Sequence, residues 1–151
     1  MKHFDYFAPT EIIFGAGRVT EAGALAARYG KKAMLVTVPE FPAVAELYAK
    51  VKKSLADAGV ACVHYDGVIP NPTTELVTRG AELAKAEGVD VVIGLGGGSS
   101  MDTAKAIAVE ATHPGTAWDY NCHTAGPTEQ TLPILAISTT AGTGSQTTPC
   151  A

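Results

Sequence analysis

Val89-Asp-Val-Val-Ile-Gly-Leu-Gly-Gly-Gly-Ser-Ser-Met-Asp-Thr-Ala-Lys-Ala-Ile-Ala108 joins a β-branched apolar run to a series of small residues. The run from Val89 to Leu95 predicts a strand that is buried on both faces. Helical spacing follows it, at Ala104, Ile107, Ala108 and Ala111. Glycines between a strand and a helix let backbone N–H groups approach an anion, and the first helical turn adds unpaired donors. We therefore predict a phosphate or pyrophosphate site between these two elements.

The glycine turn also has a simpler interpretation. Glycines after a strand often make only a tight turn. The turn is also not the dinucleotide motif G-x-G-x-x-G, because Ser99 stands where the third glycine would be, and no acidic residue follows at the required spacing. A phosphate site therefore needs support from another part of the chain.

The rest of the chain alternates strands with helices. The predicted strands are 33–38, 60–65, 89–95 and 132–138, and helices are predicted over about 19–30, over 42–58 and from Pro72. This alternation favours an α/β fold with a doubly wound parallel sheet. Two short strands, Phe4–Phe7 and Glu11–Phe14, are predicted to form a separate β pair at the amino terminus.

Length and composition limit the possible classes. The chain has 151 residues, of which 46% are apolar, so we predict one domain over 1–151. A net charge of −4 without a basic cluster gives no electrostatic support for binding nucleic acid or a membrane surface. There is no signal peptide and no apolar run long enough to span a membrane, so a cytoplasmic location is expected.

Four loops leave the carboxyl ends of the predicted strands, where ligands bind in sheets of this kind. They are Val38-Pro-Glu40, Pro70-Asn-Pro-Thr73, Gly96-Gly-Gly-Ser99 and Thr139-Thr-Ala-Gly-Thr-Gly-Ser145. The last is rich in hydroxyls and glycines, so it offers side-chain and backbone donors to phosphates, ribose or a carboxamide. Two such loops at one edge outweigh the interpretation of a simple turn.

Several polar residues in this region also have a structural interpretation. Asn71 before Pro72 suits a helix N-cap as well as a ligand contact. Asp102 is predicted to lie in the first turn of the glycine-loop helix, where a carboxylate stabilises the helix dipole, and Lys105 is expected to pair across the helix surface. The four histidines are scattered without the spacing of a metal site.

These motifs together resemble a known family. Phe14-Gly-Ala-Gly17, Asn71-Pro-Thr73, Gly96 to Lys105 and Ile137 to Ser145 occur in the order found in the amino-terminal domain of the iron-containing (group III) alcohol dehydrogenases. Within that family the chain looks most like the lactaldehyde reductase and propanediol dehydrogenase group. The resemblance implies a Rossmann-like, dehydroquinate synthase-like fold and reversible hydride transfer between an alcohol and NAD or NADP.

The resemblance also implies roles for individual residues. Gly97, Gly98 and Ser99 would bind the pyrophosphate, and Asn71 would contact the ribose side of the adenosine. Thr139 and Thr140 would line the adenine and phosphate region. Asp102 would lie near the nicotinamide, with Thr143 and Ser145 completing that wall. Val38 aligns with an Asp that binds the adenosine ribose in related enzymes, so NADPH is expected to be accepted at least as well as NADH. The alternative is that Glu40, two residues further on, substitutes for that carboxylate.

Members of this family bind Fe2+, or sometimes Zn2+, through one Asp and three His of a helical carboxyl-terminal domain. We expect that domain, and the last strands of the nucleotide domain, to lie outside these 151 residues. The leading hypothesis is therefore the NAD(P)-binding half of an alcohol dehydrogenase that forms a homodimer or a higher homo-oligomer through its amino-terminal strands. This chain alone is expected to have no catalytic residue and no metal site. The alternatives are a stand-alone NAD(P)-binding module and an interaction domain.

Overall fold

The computed structural model describes residues 3, 9–120, 126–148 and 151. The strands are β1 (Lys32–Val36), β2 (Ala61–Tyr65), β3 (Val91–Gly96) and β4 (Ile134–Ser138). The helices are α1 (Ala22–Ala26), α2 (Pro42–Asp57), α3 (Thr74–Glu87) and α4 (Gly98–Glu110). Short 3-10 turns occur at Arg18–Glu21, Ala117–Tyr120 and Ser145–Thr147.

The four strands form one parallel sheet in the order β2-β1-β3-β4. Its registers pair Leu35 with both His64 and Ile93, and Leu95 with Ile137. Every described strand in this sheet is joined to the next through a segment that contains a helix, because parallel neighbours need a crossover connection. The prediction of an α/β fold with a parallel sheet is confirmed.

Helices cover both faces of the sheet, so the core has two layers. On one face α1 and α2 pack against the sheet through Ala26, Tyr48, Val51 and Leu55. On the other face α3 and α4 contribute Val77, Ala84, Ala104 and Ile107. The central strands β1 and β3 supply residues to both layers, which explains why Val91 to Leu95 is an uninterrupted apolar run rather than an alternating one.

The strand order places a topological switch point between β1 and β3. The chain leaves β1 toward α2 on one face and leaves β3 toward α4 on the opposite face. The loops at the carboxyl ends of these two neighbouring strands therefore diverge and leave a crevice between them. Residues after Val36 and after Gly96 flank this crevice.

The prediction of an amino-terminal β pair is wrong for the second of its two strands. Glu11–Phe14 forms no strand, and Ile12 and Phe14 are 72% and 90% exposed. Aromatic and β-branched residues favour a strand only where a partner and a packing surface exist, and no described residue provides either. The first member, Phe4–Phe7, lies outside the described residues.

Two helix boundaries also differ from prediction. Helix α3 begins at Thr74 with Thr73 as its N-cap, so Asn71 is not the cap and Pro72 is not the first helical residue. Asn71 instead has a φ of 53°, a left-handed conformation that Asn tolerates better than most residues. The first helix ends at Ala26 rather than near Gly30, because Arg28 and Tyr29 donate to carbonyls three residues back. No helix within the described ranges is long and apolar enough to cross a membrane.

Candidate cofactor site

The turn between β3 and α4 requires glycine at Gly96. Its φ is 145°, which side chains other than glycine rarely adopt, and a Cβ there would lie 2.6 Å from Ser100 Oγ. The carbonyl of Gly96 accepts a 3.0 Å hydrogen bond from the N–H of Thr139. This bond ties the end of β3 to the first residue after β4, so the two loops start side by side.

Helix α4 opens this turn without a side-chain cap. Its N-cap, Gly97, is extended with φ −82° and ψ −170°, and no side chain accepts a hydrogen bond from the first turn. The N–H groups of Gly98 and Ser99 have no partner among the described residues. Unpaired donors at the positive end of a thirteen-residue helix are the groups that bind phosphates.

The hydroxyl-rich loop lies directly against this turn. A Cβ on Gly98 would lie 3.0 Å from both Thr143 Oγ1 and Thr143 Cγ2, and 3.4 Å from Ser145 Oγ. The two hydroxyls hydrogen-bond each other at 2.8 Å, and the N–H of Ser145 donates to Thr143 Oγ1 at 3.3 Å. Ser145 is buried whereas Thr143 is exposed, so the pair presents one hydroxyl beside the glycine turn.

Thr139 and Thr140 also lie at this edge of the sheet. Both are exposed and follow β4 directly, and the Ser138 hydroxyl donates to the carbonyl of Thr140 at 3.0 Å. The structure therefore brings together five of the predicted site residues from two loops: Gly97, Gly98, Ser99, Thr143 and Ser145, with Thr139 joined to Gly96 next to them.

Asp102 and Lys105 differ from their predicted settings. Asp102 is the fifth residue of α4 and lies beyond the first turn, so it does not neutralise the helix dipole there. Its carboxylate forms a 3.0 Å ion pair with Lys105. Lys105 is not on the surface as predicted: it is only 9% exposed, and it donates to the carbonyl of Thr148 at 3.3 Å. The prediction that Lys105 pairs along its own helix was correct, but the pair lies against the segment that follows the second loop.

Val38 and Asn71 lie at the same edge but apart from the glycine turn. Val38 is partly buried two residues beyond β1, and Asn71 is exposed in the segment between β2 and α3. The Val38 side chain has no polar atom with which to contact the glycine turn. Val38 follows β1 and Asn71 follows β2, whereas the glycine turn and the hydroxyls follow β3 and β4, in the strand order β2-β1-β3-β4.

The sequence did not indicate two features of this edge. One is the φ of 145° at Gly96, together with the closeness of Ser100, which leaves no room for a side chain there. The other is a hydrogen-bonded group of Thr37, Tyr48 and His64 around the carbonyl of Val38. A signal existed for the second, because His64 lies within a predicted strand, but its partner depends on the register between β1 and β2.

The described residues contain no cluster of three or more His, Cys, Asp or Glu side chains able to hold a metal ion. The groups near the glycine turn that could coordinate a metal ion are hydroxyls, amides and one carboxylate that is already paired with Lys105. Hydroxyls and amides are poor ligands for iron or zinc. The described part of this edge therefore suits a phosphate-containing ligand and does not fit a transition metal.

The fold and the crevice define a doubly wound α/β protein whose glycine turn, at the switch point, is suited to binding an anion. Comparison with known proteins gives the family: the model for "Iron-containing alcohol dehydrogenase" matches residues 9–151, and the chain belongs to this family. The assignment agrees with the motifs found in the sequence.

Individual relatives show how far the similarity extends. The chain is 45% identical over 152 residues to a choline dehydrogenase of Bacillus subtilis, covering 98% of this chain and 38% of the relative. It superposes with a TM-score of 0.92 and 42% identity on an archaeal halo-thermophilic alcohol dehydrogenase from a Red Sea brine pool, covering 99% of this chain and 40% of that one.

A third similar protein is the sulfoacetaldehyde reductase of Bifidobacterium kashiwanohense, solved in complex with NAD+, with a TM-score of 0.79 and 30% identity over 98% of this chain and 39% of that one. The chain thus spans about two fifths of the length of the relatives it matches. The names of these relatives differ in substrate, so the narrower lactaldehyde reductase and propanediol dehydrogenase group is not established.

Proposed function

We propose that this chain forms the NAD(P)-binding part of a metal-dependent alcohol dehydrogenase that interconverts alcohols and aldehydes or ketones by hydride transfer. One observation carries the proposal: the uncapped start of α4 lies against the Thr143–Ser145 hydroxyl pair in the crevice at the switch point. Family membership and a relative bound to NAD+ support the same ligand.

In this proposal the pyrophosphate binds over Gly97, Gly98 and Ser99. The N–H groups of Gly98 and Ser99 donate to its oxygens, and the open space beside Gly97 admits them. Thr143 and Ser145 bound the site on one side, and Thr139 and Thr140 extend the row of hydroxyls. Asp102 is assigned to the nicotinamide end, where its ion pair with Lys105 limits the contacts that its carboxylate can make with the cofactor.

The adenosine side of the crevice suggests the choice of cofactor. Val38 and Asn71 are the residues we assign to the ribose side, and Val38 carries no charge that would repel a ribose 2′-phosphate. Glu40 is the nearest carboxylate in sequence and is exposed. We therefore propose that NADPH is accepted at least as well as NADH.

The alcohol and the metal belong to the whole protein rather than to the described residues. Relatives of about two and a half times this length share the family, and we propose that iron or zinc is bound outside the residues described. When bound, such a metal supplies a Lewis acid that lowers the pKa of the alcohol hydroxyl. Homodimer formation through the amino-terminal residues and a cytoplasmic location stay predictions.

The test is a fluorescence titration of the purified chain with NADH and NADPH, using Gly97→Val as the disabling variant. A Cβ at Gly97 meets no described atom within 4 Å, and its extended backbone suits Val. The variant should therefore fold normally, yet its side chain fills the space of the phosphate. We expect at least about a hundredfold loss of affinity, since two or more hydrogen bonds to a charged group are lost.

The matched control is Gly126→Val, which also meets no described atom within 4 Å and lies outside the site. It should bind like the unmodified chain. Failure of the unmodified chain to bind either nucleotide, or equal affinity in Gly97→Val, would reject the proposed function. Gly98→Val is a poorer probe, because its side chain would strike Thr143 as well as the ligand.

A further inference from the structure

The carbonyl of Val38 is held by a partly buried group of side chains. It accepts a 2.7 Å hydrogen bond from Thr37 Oγ1 and a 3.3 Å hydrogen bond from the Tyr48 hydroxyl. Thr37 Oγ1 also lies 2.9 Å from His64 Nε2. Thr37 and Tyr48 are 0% and 1% exposed, whereas Val38 and His64 are partly buried, so these bonds are only partly shielded from water. We call Thr37, Tyr48 and His64 the Val38 brace.

The direction of each hydrogen bond follows from proton counting. A carbonyl only accepts, so the single hydroxyl hydrogen of Thr37 goes to Val38. For the contact at 2.9 Å to be a hydrogen bond, His64 Nε2 must then donate to Thr37 Oγ1. His64 carries this hydrogen both as the neutral Nε2–H tautomer and as the cation, so either form supports the brace.

The brace spans three elements that are fixed independently of it. The N–H of Thr37 donates to the carbonyl of Tyr65 at 2.9 Å, and the N–H of Val68 donates to the carbonyl of Thr37 at 3.1 Å. The ring of Tyr48, on α2, contacts the ring of His64 edge to face with centroids 5.9 Å apart. The Thr37 backbone is therefore held by β2 and the segment after it, and the side chains act mainly on the Val38 peptide.

Charged groups of both signs surround His64. Burial lowers its pKa, and Lys52 on α2 lowers it further, while Asp66 and Glu40 oppose the shift. The ring is therefore neutral near pH 7. Because Nε2 keeps its hydrogen in both forms, we expect no large change in the brace as pH falls.

We propose that His64, acting through Thr37, is a positioning residue that fixes the Val38 wall of the cofactor site and so sets the relative affinity for NADPH and NADH. The inference rests on the proposed function. With the brace intact, the Val38 side chain stays packed against the core on the α3–α4 face and presents no charge at this edge of the sheet. When the Val38 peptide is released, the following residues shift and the carboxylate of Glu40 can approach the ribose, where it repels a 2′-phosphate.

The experiment measures NADPH and NADH affinities of the purified chain by fluorescence titration. Thr37→Val keeps the shape of the side chain and removes the hydroxyl, and His64→Phe keeps a ring against Tyr48 and removes the donor. Each should lower the ratio of NADPH to NADH affinity by about threefold to tenfold, the effect of one net hydrogen bond. The double variant should show no more than the larger single effect, because both changes break the same chain of bonds.

Thr37→Ser retains the hydroxyl and should restore the ratio, which a merely structural role would not predict. If Thr37→Val does not fold, Tyr48→Phe removes the second donor to Val38 and should lower the ratio in the same direction. An unchanged ratio in folded variants that still bind both nucleotides would overturn the inference alone. Absence of binding by the unmodified chain would overturn the proposed function as well.

Discussion

Gly94, Gly96 and Gly98 need the absence of a side chain for three different reasons. At Gly94 a Cβ would lie 2.9 Å from Met101 Cα and from Ala104 Cβ, so glycine lets α4 pack closely on β3. Gly96 is required by its φ of 145°. Gly98 leaves room for Thr143 and Ser145 beside the start of α4. One short glycine-rich turn therefore serves packing, backbone conformation and the site itself.

Val38 is the residue at which cofactor choice can be tested most directly. Val38→Asp should reduce NADPH affinity relative to NADH by at least about tenfold, because a carboxylate near the ribose repels the 2′-phosphate. The affinities are measured by fluorescence titration of both nucleotides. The control is Val38→Asn, which introduces a side chain of nearly the same shape as in Val38→Asp but without the charge. Equal ratios in the Asp and Asn variants would show that this side chain does not face the ribose.

Helix α4 is anchored at two points. Its first turn meets the Thr143–Ser145 pair, and Lys105 further along contacts both Asp102 and the carbonyl of Thr148. The side chains of Lys105 and Asp102 are 11% and 30% exposed. An ammonium group so far from water needs these partners, because a buried unpaired charge is costly. The ion pair thus connects the helix to the segment that follows the second loop.

The helix anchor predicts a difference between two lysine substitutions. Lys105→Met should lower the free energy of unfolding by about 1 to 3 kcal/mol, since it leaves Asp102 and a carbonyl without their donor. Lys53→Met removes an exposed ion pair with Asp57 on α2 and should change it by about 0.5 kcal/mol or less. Urea denaturation measures both. A cost for Lys105→Met no larger than that for Lys53→Met would contradict a role for Lys105 in holding α4.

At the scale of the molecule, we propose that cofactor binding and hydride transfer depend on different parts of the protein. The crevice is built from loops that follow β1, β2, β3 and β4, so one sheet edge gathers every residue we assign to nucleotide binding. The same edge offers no group of metal ligands among the described residues. We therefore assign NAD(P) binding to this sheet edge and metal binding to residues outside those described.

We predict that the purified chain binds NAD(P)H but does not oxidise an alcohol. Removal of the hydroxyl proton at neutral pH needs a group that stabilises the alkoxide, and hydroxyls and amides near the glycine turn are too weak as bases or metal ligands. The chain is incubated anaerobically with Fe2+ or Zn2+, NAD(P) and short alcohols and diols, and nicotinamide absorbance is followed. Metal-dependent turnover would contradict the placement of the metal site outside the described residues. Binding without turnover agrees equally with a stand-alone module, which the mass of the native protein would distinguish.

Local patterns were sufficient for the elements and for the two loops of the site. The β-branched run of β3, the helical spacing after it and the glycines between them follow from residue types a few positions apart, so the sequence alone predicted the parallel α/β fold and the glycine turn. The resemblance of the motifs also identified the family, which the comparisons confirm.

Contacts between distant segments could be seen only in the folded chain. The placement of Thr143 against Gly98, the burial of Lys105 and the bond from His64 to Thr37 all depend on strand order and register, which a periodic pattern does not encode. The same reason explains why the prediction of a strand over Glu11–Phe14 was wrong. These residues favour a strand, but no described partner pairs with them. Propensity acts within a segment, whereas pairing and burial depend on what packs against it.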